Sequence, residues 1–138
     1  MTQEEKSLLL KDLCARSLYN VKCKVHLDTK GYCLRDEDKY CDDTLESVNC
    51  KKQTCTFNKS IGYNFGNFAI EEVKPYLRPL SSMTEEEKDD YENYTLHWCD
   101  KSEYGYASKI VDYLNQHHFD YRGLIKKGLA IEAPEGMY

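Results

Sequence analysis

Val21-Lys-Cys-Lys-Val-His-Leu27 alternates apolar and polar residues without a break. Wound as a helix, these side chains would be scattered around the axis. Extended, they sort cleanly, with Val21, Cys23, Val25 and Leu27 on one face and Lys22, Lys24 and His26 on the other. The segment is therefore expected to be a half-buried strand of an antiparallel sheet, the arrangement in which one face stays wet. Asp28 to Gly31 reads as a turn, with Gly31 supplying backbone freedom there. Tyr32 to Leu34 can return as a hairpin partner, and Asp36 to Lys39 is a polar loop. Thr44–Val48, Lys52–Asn58 and Asn64–Phe68, the last running into Ala69-Ile70, are weaker strands. A small antiparallel sheet or partly open barrel of three to five strands is expected.

The flanks carry a different period. Thr2 or Ser7 can open an N-terminal helix; Thr2 with Glu5 three residues on forms a capping-box pattern, and Leu9, Leu10, Leu13, Cys14 and Ser17 follow at helical spacing. Glu4, Glu5, Lys6, Lys11 and Asp12 fall outside that stripe, and the helix should stop between Arg16 and Tyr19, before Asn20. On the far side, Glu71 to Pro79 reads as a linker, because Pro75 and Pro79 oppose a helix and bias their predecessors towards extended backbone. Thr84 is then a natural N-cap with Glu87 at the capping-box position, and Met83 before it is expected to pack against the helix. Tyr91, Tyr94 and Trp98 share a face. A second helix follows Gly105 with Tyr106, Ile110, Tyr113, Leu114 and His117 on one side, and Tyr121, Leu124, Ile125, Leu129 and Ile131 make an apolar finish before Pro134. The sum is an α+β fold in one domain over residues 1–138: an N-terminal helix over 1–19, a β-rich segment over 20–73 and a helical segment over 80–138.

Charge narrows the function. Residues 1–80 hold 13 Lys and Arg against 12 Asp and Glu, and residues 81–138 hold 6 against 12, which accounts for the chain's net charge of −5. An acidic chain is poorly suited to neutralising phosphates, so direct nucleic-acid binding is disfavoured. There is no apolar run of the roughly twenty residues a membrane helix needs, and the polar start Met1 to Lys6 does not read as a secretory leader. A cytoplasmic location is expected, where the seven cysteines stay reduced or bind metal.

Cys23, Cys33, Cys41, Cys50 and Cys55 crowd the middle of the chain with His26 beside them. Thiolate ligation of zinc would account for such a cluster. The spacing argues against it: there is no C-x-x-C pair, and the tightest pair, Cys50 and Cys55, has four residues between its members. Cys23 also falls on the apolar face of its strand, where cysteine acts as a small hydrophobe. Plain thiols and no cofactor are the expectation. His117, His118, Asp120 and Arg122 form a second concentration of reactive types. Neighbouring histidines on a helix point about 100° apart, so one metal does not suit both. They read better as helix-end packing by His117, contact of His118 with the last carbonyls, and an Asp120–Arg122 ion pair. With no nucleophile elbow and no phosphate-cradling loop, no catalytic residue is expected.

The acidic run Glu85, Glu86, Glu87, Asp89, Asp90 and Glu92, broken only by Lys88, is the sharpest surface feature. It can be a solvated helix start, or it can imitate nucleic-acid phosphates and enter a basic groove on a partner. Three sequence blocks bear on that choice: Leu8 to Arg16, Lys74 to Glu87, and Tyr113 to Ile125 continuing through Gly128 to Tyr138. Together they resemble a family of small uncharacterised proteins of gut Bacteroides-type bacteria and their phages and prophages. The resemblance covers about half the chain and leaves residues 20–70 unmatched. It implies a bacterial or phage-encoded cytoplasmic protein and carries no catalytic residue with it. A non-enzymatic accessory protein follows as the expectation, binding a host protein or ribonucleoprotein through the acidic run, for instance as an anti-CRISPR-like inhibitor of a defence system. Two alternatives stand beside it: a nucleic-acid-associated module using Lys22, Lys24, Lys51 and Lys52, and a small-ligand sponge or sensor with its pocket between the sheet and the C-terminal helices.

Overall fold

The computed structural model describes residues 1–27, 39–57, 67–96 and 105–138. The expected hairpin return at Tyr32–Leu34, residues 64–66 of the expected strand Asn64–Phe68, Trp98 and Cys33 lie outside these residues.

Helix α1, Gln3–Arg16, opens on the expected capping box: the Thr2 hydroxyl accepts from the Glu5 amide, and the Glu5 carboxylate accepts from the Thr2 amide. Strand β1, Lys22–His26, follows, with Val21, Cys23, Val25 and Leu27 all buried, as the alternation requires. Next come β2 (Tyr40–Asn49), β3 (Thr54–Phe57), β4 (Phe68–Ala69) and β5 (Val73–Leu77). Helices α2 (Glu85–Leu96) and α3 (Gly105–Gln116) precede a last short strand, β6 (Ile131–Glu132). Among the described residues the strands form one open sheet in the order β4-β3-β2-β1-β5-β6. Every pairing is antiparallel except β5 with β6.

The α+β architecture stands, but two expectations need correcting. Among the described residues the sheet has six strands and is mixed, because the chain recruits both its supposed linker and its tail. Residues 73–77 form a strand rather than a connection, with Pro75 opposite Cys23. A proline cannot donate to a ladder. Here β6 reaches only Tyr76 and Leu77, so among the described residues Pro75 has a strand on one side alone. The extended bias that two prolines impose suits a strand as well as it suits a linker.

Among the described residues two apolar clusters stabilise the fold. Leu9 and Leu13 of α1 cover the inner face of the sheet, against Val21, Val25, Leu45, Val73 and Leu77. Met83, Ile110, Tyr113, Leu114 and Phe119 build a second cluster between α2 and α3. Met83, the residue before the helix cap, thus packs as its position predicts. Phe119 is wholly buried and follows α3 into a parallel bridge with Arg78 at the end of β5, which ties the second cluster to the sheet.

Candidate functional site

The acidic helix α2 is built almost entirely from its cap. The Thr84 hydroxyl accepts from the Glu87 amide at 3.2 Å, and the Glu87 carboxylate accepts from the Thr84 amide at 2.9 Å. That carboxylate also takes a bidentate pair from the Arg78 guanidinium at 2.7 and 2.8 Å, with His117 Nδ1 at 3.5 Å. The Arg78 pair pushes the Glu87 carboxyl down to about 2. Arg78 in turn lies over the Phe119 ring, 4.4 Å from its centroid, and donates to the Ser82 carbonyl. Tyr113 donates its hydroxyl to the Glu87 carbonyl.

Of the residues from Glu85 to Thr95 none is fully buried, and the half-buried ones are Glu87, Tyr91 and Thr95. Their spacing of four marks the single stripe that α2 turns inward. Glu85, Glu86, Asp89, Asp90 and Glu92 are therefore all directed outward and exposed. Glu85 pairs with Lys88 at 2.6 Å; among the described residues Glu86, Asp89, Asp90 and Glu92 make no ion pair. Six carboxylates that look alike in the sequence thus divide in two. Glu87 anchors the helix, and the other five face solvent around one lysine; of these only Glu85 and Glu86 lie in the first turn, where the helix N-terminus favours negative charge.

The cluster after α3 is a clasp, assembled from partners the sequence did not announce. Helix α3 ends with His118 at φ 59°, its amide donating to the Asn115 carbonyl and the Phe119 amide to the Leu114 carbonyl. That is a left-handed helix terminator occupied by histidine instead of the usual glycine. His117 packs as expected, with its ring 4.4 Å from Tyr113. His118 does not serve the last carbonyls. Its buried ring stacks on Tyr138 at 3.9 Å. The carbonyls go to Arg16 of α1, whose guanidinium donates to Phe119 at 2.8 Å and to Leu114 and Asn115 at 3.5 Å each.

Arg16 and Asp12 are both fully buried and paired at 2.8 Å, which corrects the reading of Asp12 as an outward residue. The Asp120–Arg122 pair is also corrected. Both Asp120 oxygens accept backbone amides, from Leu124 and Ile125, while Arg122 turns to Asp12 at 3.2 Å and to the Tyr121 hydroxyl at 2.8 Å. Two guanidinium groups thus share one carboxylate, and the negative end of α3 supplies the remaining compensation.

The tail closes the assembly. Ala133 donates its amide to the Leu77 carbonyl. The Tyr138 hydroxyl accepts from the Lys22 amide and donates to the Tyr76 carbonyl, both at 3.0 Å. In the β1–β5 register Lys22 would face Tyr76, so the phenol is spliced between two groups that would otherwise meet in the ladder. Burial raises this hydroxyl well above the ordinary tyrosine range.

Burial, with Arg16, His117 and Arg78 nearby, depresses the His118 imidazole to about 4. An unfolded histidine takes a proton near 6.5. Below that value the unfolded chain holds the extra proton, so folding stability is full above about pH 6.5 and is lost as pH falls towards 4. Urea midpoints measured from pH 7 to pH 4 should fall in the native protein. In a His118→Asn variant, which tolerates the left-handed backbone, the decline across that window should be shallower.

The remaining candidates are dispersed. Cys23 and Cys55 are buried in the core, Cys41 is half-buried and Cys50 exposed. Among the described residues no three His, Cys, Asp or Glu side chains converge as metal ligands. Lys22 and Lys24 share the outer face of the sheet, but Lys22 reaches the Met137 carbonyl and Lys24 lies over the Tyr40 ring. Lys51 and Lys52 sit in the turn after β2. A cleft of about 590 Å³ opens between Arg78, Glu87 and the tail. Its arginine is already committed to Glu87, Ser82 and Phe119. No described helix is long and apolar enough to cross a membrane. Comparisons with family models, with curated proteins and with solved structures find no match.

Proposed function

We propose that this chain is a non-enzymatic binding protein whose outward α2 face, Glu85, Glu86, Asp89, Asp90 and Glu92, enters a basic groove on a protein or ribonucleoprotein partner. One observation carries the reading: α2 buries no residue from Glu85 to Thr95, yet it is held by a capping box and a bidentate ion pair. A helix polar on nearly every side gains little from packing. Its upkeep makes sense if its surface is what the protein uses. Carboxylates at this density favour a partner of opposite potential, giving fast and salt-sensitive association. The resemblance of the chain's sequence blocks to proteins of gut Bacteroides-type bacteria and their phages and prophages supports a partner in the bacterial cytoplasm, and an anti-CRISPR-like inhibitor of a defence complex is the concrete form.

The test is affinity capture from host lysate with three proteins: the native chain, a variant with the five residues changed to Lys, and one with them changed to Gln or Asn. Glu87 is left intact in both variants so that the helix stays anchored, and circular dichroism checks the fold. Partner retention should drop about tenfold or more on reversal, with the neutral variant between. Undiminished capture by the reversed variant removes the acidic-surface mechanism.

A further inference from the structure

Cys14, on α1, and Cys50, in the turn after β2, are 36 residues apart in sequence, and their Sγ atoms are in contact at 3.2 Å. Neither thiol is enclosed: Cys14 is half-buried and Cys50 exposed. Cys55 lies close enough to feel both but is itself buried. We propose that Cys14 and Cys50 are a dithiol–disulfide couple that reacts with low-molecular-weight disulfides and, when oxidised, ties α1 to the β2–β3 turn.

The chemistry needs one external oxidant, a small disulfide RSSR. Cys50 loses its proton and attacks one sulfur, forming a mixed disulfide and expelling RS⁻, which takes up a proton. Cys14 then loses its proton and attacks the Cys50 sulfur. The internal S–S bond forms, and the second R group leaves as RSH. Two thiols have given up two electrons and two protons, and one RSSR has become two RSH. The order follows from the surroundings. Burial and the neighbouring thiol push Cys14 up to about 11, so it seldom ionises unprompted, whereas Cys50 meets solvent. The consequence is structural and independent of the partner proposed above. Asp12 and Arg16 flank Cys14 on α1, so the bond would fix the helix that supplies the clasp.

Incubation of the native full-length chain with oxidised glutathione, followed by acid quench, alkylation and peptide mass mapping, tests this. The expected product has lost two hydrogens, with the bond mapped between Cys14 and Cys50. Cys14→Ser should stop at a stable glutathione adduct on Cys50, and Cys50→Ser should leave Cys14 unmodified. A persistent adduct on native Cys50, a bond mapped to another pair, or an unmodified protein would each overturn the proposal. Circular dichroism of both serine variants confirms that the fold is intact.

Discussion

Changing Asp12 to Ala is expected to cost about 3–5 kcal/mol of folding stability, the range for removing one partner from a buried ion pair. Few single changes elsewhere in the chain should match it. Asp12 is fully buried and is the carboxylate shared by Arg16 at 2.8 Å and Arg122 at 3.2 Å. Without it Arg16 stays enclosed with only three backbone carbonyls for company, and a buried guanidinium cannot escape by losing its proton. Net stability of a domain is only about 5–15 kcal/mol, so the loss should appear as a large drop in the urea midpoint. Pairing Asp12→Leu with Arg16→Met should cost less than the two single changes summed, because an apolar pair strands no charge. If Asp12→Ala proves nearly neutral, the clasp is not what holds α1 to α3.

Phe119→Ala should be comparably damaging, at about 3–5 kcal/mol, from lost burial and the cavity left behind. Phe119 is fully buried in the second cluster, supports the Arg78 guanidinium at 4.4 Å and bridges to β5 beside Arg78. Its removal therefore loosens the residue that grips Glu87 as well as the core. Phe119→Leu keeps most of the volume and should cost markedly less. The two variants separate packing from position: chemical denaturation reports the first, and near-ultraviolet signals of Tyr113 and Tyr91 report the second.

What could be read beforehand was local. The alternation of residues 21–27 and the capping boxes at Thr2–Glu5 and Thr84–Glu87 each place their own determinants within a few residues, and all three formed as read. Features built from distant partners were illegible. Asp12 looked solvent-facing because a carboxylate beside leucines normally is, and its second partner, Arg122, is over a hundred residues away. Pro75 punctuates a chain whether a linker or a strand follows. Nothing near Tyr138 shows that its hydroxyl will join Lys22 to Tyr76. The same limit hid Cys14, whose partner Cys50 lies 36 residues on and belongs to a denser group of cysteines from which Cys14 stands apart in sequence. Within the acidic run, equal spacing in sequence concealed that Glu87 faces inward and its neighbours outward.

The most direct measurement is carboxylate footprinting of the chain alone and in complex with its captured partner, using carbodiimide coupling to a small amine and reading each site by mass spectrometry. Glu85, Glu86, Asp89, Asp90 and Glu92 should label readily in the free chain and become protected in the complex, while Glu87 labels poorly in both because Arg78 and Thr84 already hold it. Unchanged labelling of those five residues in the complex, with protection appearing instead around Glu71 and Glu72 beside Lys24 and Lys74 on the sheet face, would contradict the account.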